Sequence, residues 1–134
     1  RKSVPRDKVP GTTVSLLSEP RKMPGLTWFL PALDSCPAKV LGDGTICGAC
    51  YAAKGNYLWP CVKHAQWERF AWARRCVRTD DGQREFVDTL TRVIRKDPSG
   101  WFRGHDSGDF FTPVYVRMWA AIARNLPDVQ FWVL

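Results

Sequence analysis

A chain of 134 residues, 45% hydrophobic and 25% charged, has the composition of about one globular domain. It contains no apolar run long enough to span a bilayer, so no transmembrane helix is expected within it. The formal charge of +7 points either to a polyanionic partner such as nucleic acid or to a solvated basic surface. Five cysteines cannot all pair within one chain, and no secretory leader is visible. A reducing cytoplasm and metal ligation are therefore expected rather than a disulfide framework.

Residues 1–25 mix basic side chains with prolines and glycines around a short apolar stretch at Val14, Leu16 and Leu17. This reads as an irregular basic arm that supplies at most one short strand. Thr27 to Leu30 predicts the first strand, ended by Pro31, and a cysteine loop loosened by Gly42, Gly44 and Gly48 follows. A helix is predicted over Val62–Arg78, with Val62, Ala65, Phe70, Trp72, Ala73, Cys76 and Val77 on one side. Lys63, Arg74, Arg75 and Arg78 gather on the other. Asp80 and Asp81 offer caps for a second helix to about Lys96, carried by Phe86, Leu90, Val93 and Ile94.

Trp101 to Arg103 predicts a buried strand leading into Gly104, His105, Asp106, Ser107, Gly108 and Asp109. Thr112 and Pro113 are a cap and first-turn pair for a third helix, with Tyr115, Met118, Trp119, Ile122 and Leu126 on its apolar face. Pro127 stops that helix and a last strand begins at Val129, running to Leu134 with no turn chemistry after it, so a longer protein is expected. The alternation predicts an α/β fold: a partial (βα)n barrel-like parallel sheet of about three strands with crossover helices. Its division would be an arm over 1–25 and a single α/β iron–sulfur domain over 26–134. Function in such sheets collects in the loops after the carboxyl ends of strands.

Both chemically suggestive loops hold that position. Cys36, Cys47 and Cys50, spaced by ten residues and then two, suit an iron–sulfur cluster or zinc, since both take deprotonated thiols that can converge. Cys61, a further ten residues on, either closes a four-cysteine site or is a half-buried thiol. Three ligands on a cubane cluster leave one iron open to a small molecule, whereas four make the site structural or electron-transferring. Cys76, beside Ala73 and Val77, reads as a small hydrophobe. In the second loop, Asp106 and Asp109 with His105 and Ser107 either hold a ligand, approached closely at the glycines, or serve as turn and cap residues. Trp67 among Lys63, Arg74 and Arg78 suits phosphate attraction and base stacking by nucleic acid, although tryptophans in a small domain are adequately explained as core.

Two segments carry a resemblance. Leu30-Pro31-Ala32, Cys36-Pro37, Cys50-Tyr51-Ala52 and Gly55-Asn56-Tyr57 in the first, and Ser107-Gly108-Asp109-Phe110 with the closing Phe131-Trp132 in the second, resemble the phage gene-product-88-like proteins over roughly residues 26–134. That group in turn resembles a reduced radical S-adenosylmethionine domain. The resemblance implies a [4Fe-4S] cluster on Cys36, Cys47 and Cys50. It further implies that the loop from Gly104 to Asp109, around Ser107, Gly108 and Asp109, faces S-adenosylmethionine.

Overall fold

The computed structural model describes residues 7–20, 22–37, 39 and 44–133. Three short strands, β1 (Leu26–Thr27), β2 (Trp101–Gly104) and β3 (Gln130–Val133), form one parallel sheet in the order β1-β2-β3. Three helices connect them: α1 (Pro60–Cys76) and α2 (Asp80–Arg95) between β1 and β2, and α3 (Pro113–Asn125) between β2 and β3. The fold is thus mixed α/β with a small parallel sheet, as the alternation of patterns predicts. No helix among the described residues is long and apolar enough to cross a membrane.

The register divides the sheet into two unlike faces. Leu26, Phe102 and Phe131 lie opposite one another in one row, and Thr27, Arg103 and Trp132 in the next, because side chains alternate along a strand. The first row joins the apolar core with the helices. Trp28 stands at the centre of that core, its ring edge-on to Trp72, Phe86 and Trp119 at centroid distances of 6.3, 5.8 and 5.9 Å. Edge-to-face packing of this kind sets the positive rim of one ring against the negative face of the next.

Several boundaries differ from expectation. The first strand is Leu26–Thr27 rather than Thr27 to Leu30. Beyond Thr27 the chain stays tied to its neighbour, but irregularly: Trp28 N–H donates to Arg103 O at 3.1 Å, and Leu30 N–H to Ser107 O at 3.0 Å. The regular ladder fails because His105 turns the facing strand out of register with a φ of 56°. α1 begins at Pro60, which needs no hydrogen-bond acceptor for its nitrogen, and ends at Cys76 rather than Arg78. Val62 and Ala65 are only partly buried, while Gln66 and Arg69 are buried instead.

α2 is capped by Thr79, not by Asp80 or Asp81. The threonine is extended and its Oγ1 accepts from Gly82 N–H at 2.9 Å, which leaves the two aspartates in the first turn. α3 starts as predicted, with Thr112 Oγ1 accepting from Tyr115 N–H at 3.1 Å. The last strand runs from Gln130, with Leu134 outside the described residues.

The N-terminal arm is packed as well as irregular. Antiparallel bridges join Lys8 to Ser15 and Ser18 to Thr27, and Val9, Leu16 and Leu17 lie in the core. Arg69 fastens the arm from α1, donating to Leu16 O at 3.0 Å, Ser15 O at 2.9 Å and Ser18 Oγ at 3.2 Å.

Candidate functional site

The cysteine loop leaves β1 through a tight turn. Ser35 N–H and Oγ both donate to Pro31 O, at 3.1 and 2.8 Å, and Cys36 N–H donates to Leu33 O at 3.3 Å. Cys47 and Cys50 share one turn, with Cys50 N–H donating to Cys47 O at 3.3 Å. Cys36, Cys47 and Cys50 are each half-buried, Cys61 is exposed in the first turn of α1, and Cys76 is buried. Gly42 lies outside the described residues.

The trio occupies one electrostatic neighbourhood. Burial pushes the Cys36 thiol above its ordinary pKa, a backbone hydrogen bond at Leu33 eases it, and the charges of Asp109, Cys50 and Cys47 push it up again. Cys61 does not act on Cys36 in this way. Among the described residues no three His, Cys, Asp or Glu side chains stand in an arrangement that would hold a metal ion. Cys76 belongs to the core, where burial and then Glu85 push its thiol up to about 12.

The acidic loop is assembled around this neighbourhood by side chains from both sides. Arg103 Nη1 pairs with Asp106 Oδ1 at 2.7 Å and stacks over the Trp132 ring at 4.9 Å. Tyr57 donates to Asp106 Oδ2 at 3.1 Å, and Tyr51 donates to Asp106 O at 2.6 Å. Burial first, and Asp106 second, raise the pKa of both phenols, so both remain donors at neutral pH. Ser107 is a buried lock: its Oγ donates to Leu30 O at 2.7 Å and accepts from Gln66 Nε2 at 3.1 Å.

Gly108, at φ 76°, lies so close that a Cβ there would stand 2.4 Å from Ser35 Oγ and 2.8 Å from Leu30 Cβ. Only glycine permits that approach. It brings Asp109 N–H to Ser35 Oγ at 3.3 Å, directly beside Cys36. Asp109 itself is exposed and also receives Phe110 N–H at 2.7 Å.

The candidates from the sequence therefore separate. Asp109 and Gly108 meet the cysteine loop, Ser107 holds the two loops together, and Gly104 ends β2 against Val133. His105 turns into the helix layer instead, with Nε2 2.8 Å from the Tyr115 hydroxyl and its ring 4.4 Å from that of Phe110. Tyr51, Tyr57, Ser35 and Gln66 take part in the junction; the sequence motifs include the two tyrosines but give them no role, and Ser35 and Gln66 stand in no motif. Tyr51 immediately follows Cys50 and Tyr57 stands a few residues beyond it, which is the available signal.

A family model described as Gene product 88 matches residues 5–133. The chain is similar to the Gene 88 protein of Mycobacterium phage L5, 52% identical over 48 residues, which is 36% of this chain and 19% of that protein. It is also similar to the Gene 88 protein of Mycobacterium phage D29, 58% identical over 46 residues, or 34% of this chain and 19% of that protein. These matches span about a fifth of the relatives' own length. No solved structure matches the chain.

Proposed function

Since the chain belongs to the gene product 88 family, we propose that it is an iron–sulfur protein of reduced radical S-adenosylmethionine type. In this reading Cys36, Cys47 and Cys50 hold a [4Fe-4S] cluster, and the loop from Gly104 to Asp109 receives S-adenosylmethionine. The observation that carries it is the Cys36 thiol, on which Asp109, Cys50 and Cys47 all act. Three soft donors and a carboxylate from the next loop thus lie within electrostatic reach of Cys36, beyond the carboxyl ends of adjacent parallel strands, and binding a cluster would require the thiols to close in from their present arrangement. The neighbour order β1-β2-β3 supports a partial barrel, since strands that follow one another in a barrel also pair in sequence.

The donor set fits such a cluster in its chemistry, because iron and sulfide take thiolates. When bound, the cluster would supply one-electron chemistry that protein side chains lack. The chain's own contribution is to bind and orient. Burial, with the Asp109 carboxylate adding to it, keeps the proton on Cys36, and because a cluster takes thiolates its binding would be accompanied by proton release. Asp109, exposed beside Cys36, is the acceptor for a cationic ligand group. Asp106 is already engaged by Arg103 and Tyr57, so its role is to fix the loop.

Anaerobic reconstitution with iron and sulfide, followed by electron spin resonance with and without S-adenosylmethionine, tests this. We expect iron and sulfide uptake that Cys36→Ser, Cys47→Ser or Cys50→Ser abolishes and Cys76→Ser leaves intact, with a reduced-cluster signal altered by the cofactor. Stoichiometric zinc with no iron uptake would overturn the reading. Loss of the cluster in Cys61→Ser would make the site a closed, four-cysteine one and remove the S-adenosylmethionine role.

A further inference from the structure

Trp28, Trp72 and Trp119 fill the core, but Trp59 and Trp67 are 56% and 45% exposed on or beside α1. They flank Lys63. At about 100° per residue, Lys63, Trp67 and Arg74 fall within about 40° of one another along the helix surface. Lys63 and Arg74 are exposed, and Arg78 extends the positive charge past the helix end. Glu68, the acid of this helix, lies about 100° around from Trp67 and off the line. The indole of Trp67 is backed by Phe70 at 5.7 Å, and Arg74 covers the same phenyl ring at 5.2 Å. These contacts hold the ring and the guanidinium side by side. A cavity of about 150 Å³, lined by Pro31, Ala52, Tyr57, Lys63 and Trp67 among others, opens at the N-terminal end of the stripe.

From this arrangement we infer that the outer face of α1 binds single-stranded nucleic acid, with Trp67 and Trp59 stacking bases and Lys63 and Arg74 meeting phosphates. Charge complementarity selects a polyanion: the chain carries +7, and Lys63, Arg74 and Arg78 outweigh Asp34, which shares the cavity with Lys63, and Glu68, which lies off the line. The indoles select a single strand over a duplex, because a duplex hides the base faces that an aromatic ring needs. Trp59 and Trp67, eight residues apart, stand about 12 Å from each other along the helix, a separation that suits splayed bases rather than one stacked pair.

Fluorescence anisotropy with a short labelled oligothymidylate and a duplex of equal length, over a salt series, tests the inference. We expect tighter binding of the single strand, with log K falling against log salt at a slope of about −2, as for roughly three phosphates. Trp67→Ala should weaken binding by about tenfold or more, the worth of one stacked base, whereas Trp67→Phe keeps most of it. Lys63→Ala and Arg74→Ala should each flatten the slope by about 0.7, and Arg124→Ala on α3 should change nothing. Equal affinity for the duplex, full affinity in Trp67→Ala, or an equal loss in Arg124→Ala would overturn it. Unchanged thermal midpoints in the exposed-site variants separate lost binding from lost folding.

Discussion

The imidazole of His105 has a tautomer set by its surroundings. Trp28 Nε1 donates to the Tyr115 hydroxyl at 2.8 Å, so the phenol's own proton is directed to His105 Nε2, also 2.8 Å away. The remaining proton sits on Nδ1, which has no partner among the described residues. The ring is 6% exposed, and burial lowers its pKa to about 4. Neutral His105 is thus the folded form. Between about pH 6.5, where an unfolded histidine titrates, and pH 4, the unfolded chain binds the extra proton. Stability is therefore complete above the unfolded value and falls as the pH drops, by about 3 kcal/mol across the window. Urea denaturation at several pH values should show this decline, and His105→Gln should flatten it relative to the parent whatever its stability at neutral pH. An unchanged slope in the variant would assign the acid sensitivity to other groups.

At the scale of elements, the helix starts give the sharpest test of local chemistry. Thr79 and Thr112 each offer one side-chain oxygen to an otherwise unpaired helix N–H, at 2.9 and 3.1 Å. Replacing either by alanine should cost about 1 kcal/mol, read as a lower urea midpoint with unchanged slope. Asp80→Ala should cost only a few tenths of that, since it contributes its charge near the helix dipole rather than a cap. A larger loss for Asp80→Ala than for Thr79→Ala would return the cap to the aspartate.

The same contrast shows what the sequence makes legible. α2 and α3 are readable because Phe86, Leu90, Val93 and Ile94, or Tyr115, Met118, Trp119 and Ile122, recur at helical spacing against polar neighbours. The interior places of Gln66 and Arg69 are not readable, because their acceptors lie 41 to 54 residues away in the acidic loop and the arm. Likewise, the cysteine and acidic loops declare themselves by composition. The tyrosines that join them do so through contacts 49 and 55 residues distant in the chain, which no local pattern encodes.

For the whole molecule, the decisive joint is Arg69, which binds the N-terminal arm to the helix layer. Its side chain is 1% exposed, stacks over the Phe29 ring at 4.2 Å and serves three oxygens of the arm. Burial alone lowers its pKa to about 10, so it is charged at neutral pH, with Nε and Nη2 held by dipoles of the arm and Nη1 without a hydrogen-bond partner among the described residues. Exchanging a buried ion for an apolar side chain is often harmless, because the desolvation cost disappears with the charge. Here the exchange would strand carbonyls that have been folded inward around the guanidinium, at about 1–3 kcal/mol for each group left unsatisfied. Arg69→Leu should therefore destabilise the chain by about 3 kcal/mol, and the loss should be felt first in the arm. Hydrogen exchange resolves this: the amides of Val9, Leu16 and Ser18, which donate to Val14, Asp7 and Thr27, should open well before those of Leu90 and Val93 in α2. Arg69→Lys should resemble Arg69→Leu, since one ammonium lacks the planar fork that spans Ser15 and Leu16. Equal acceleration at all these amides would mean that arm and helices unfold as one unit, and that Arg69 supports the core as a whole rather than the attachment of the arm.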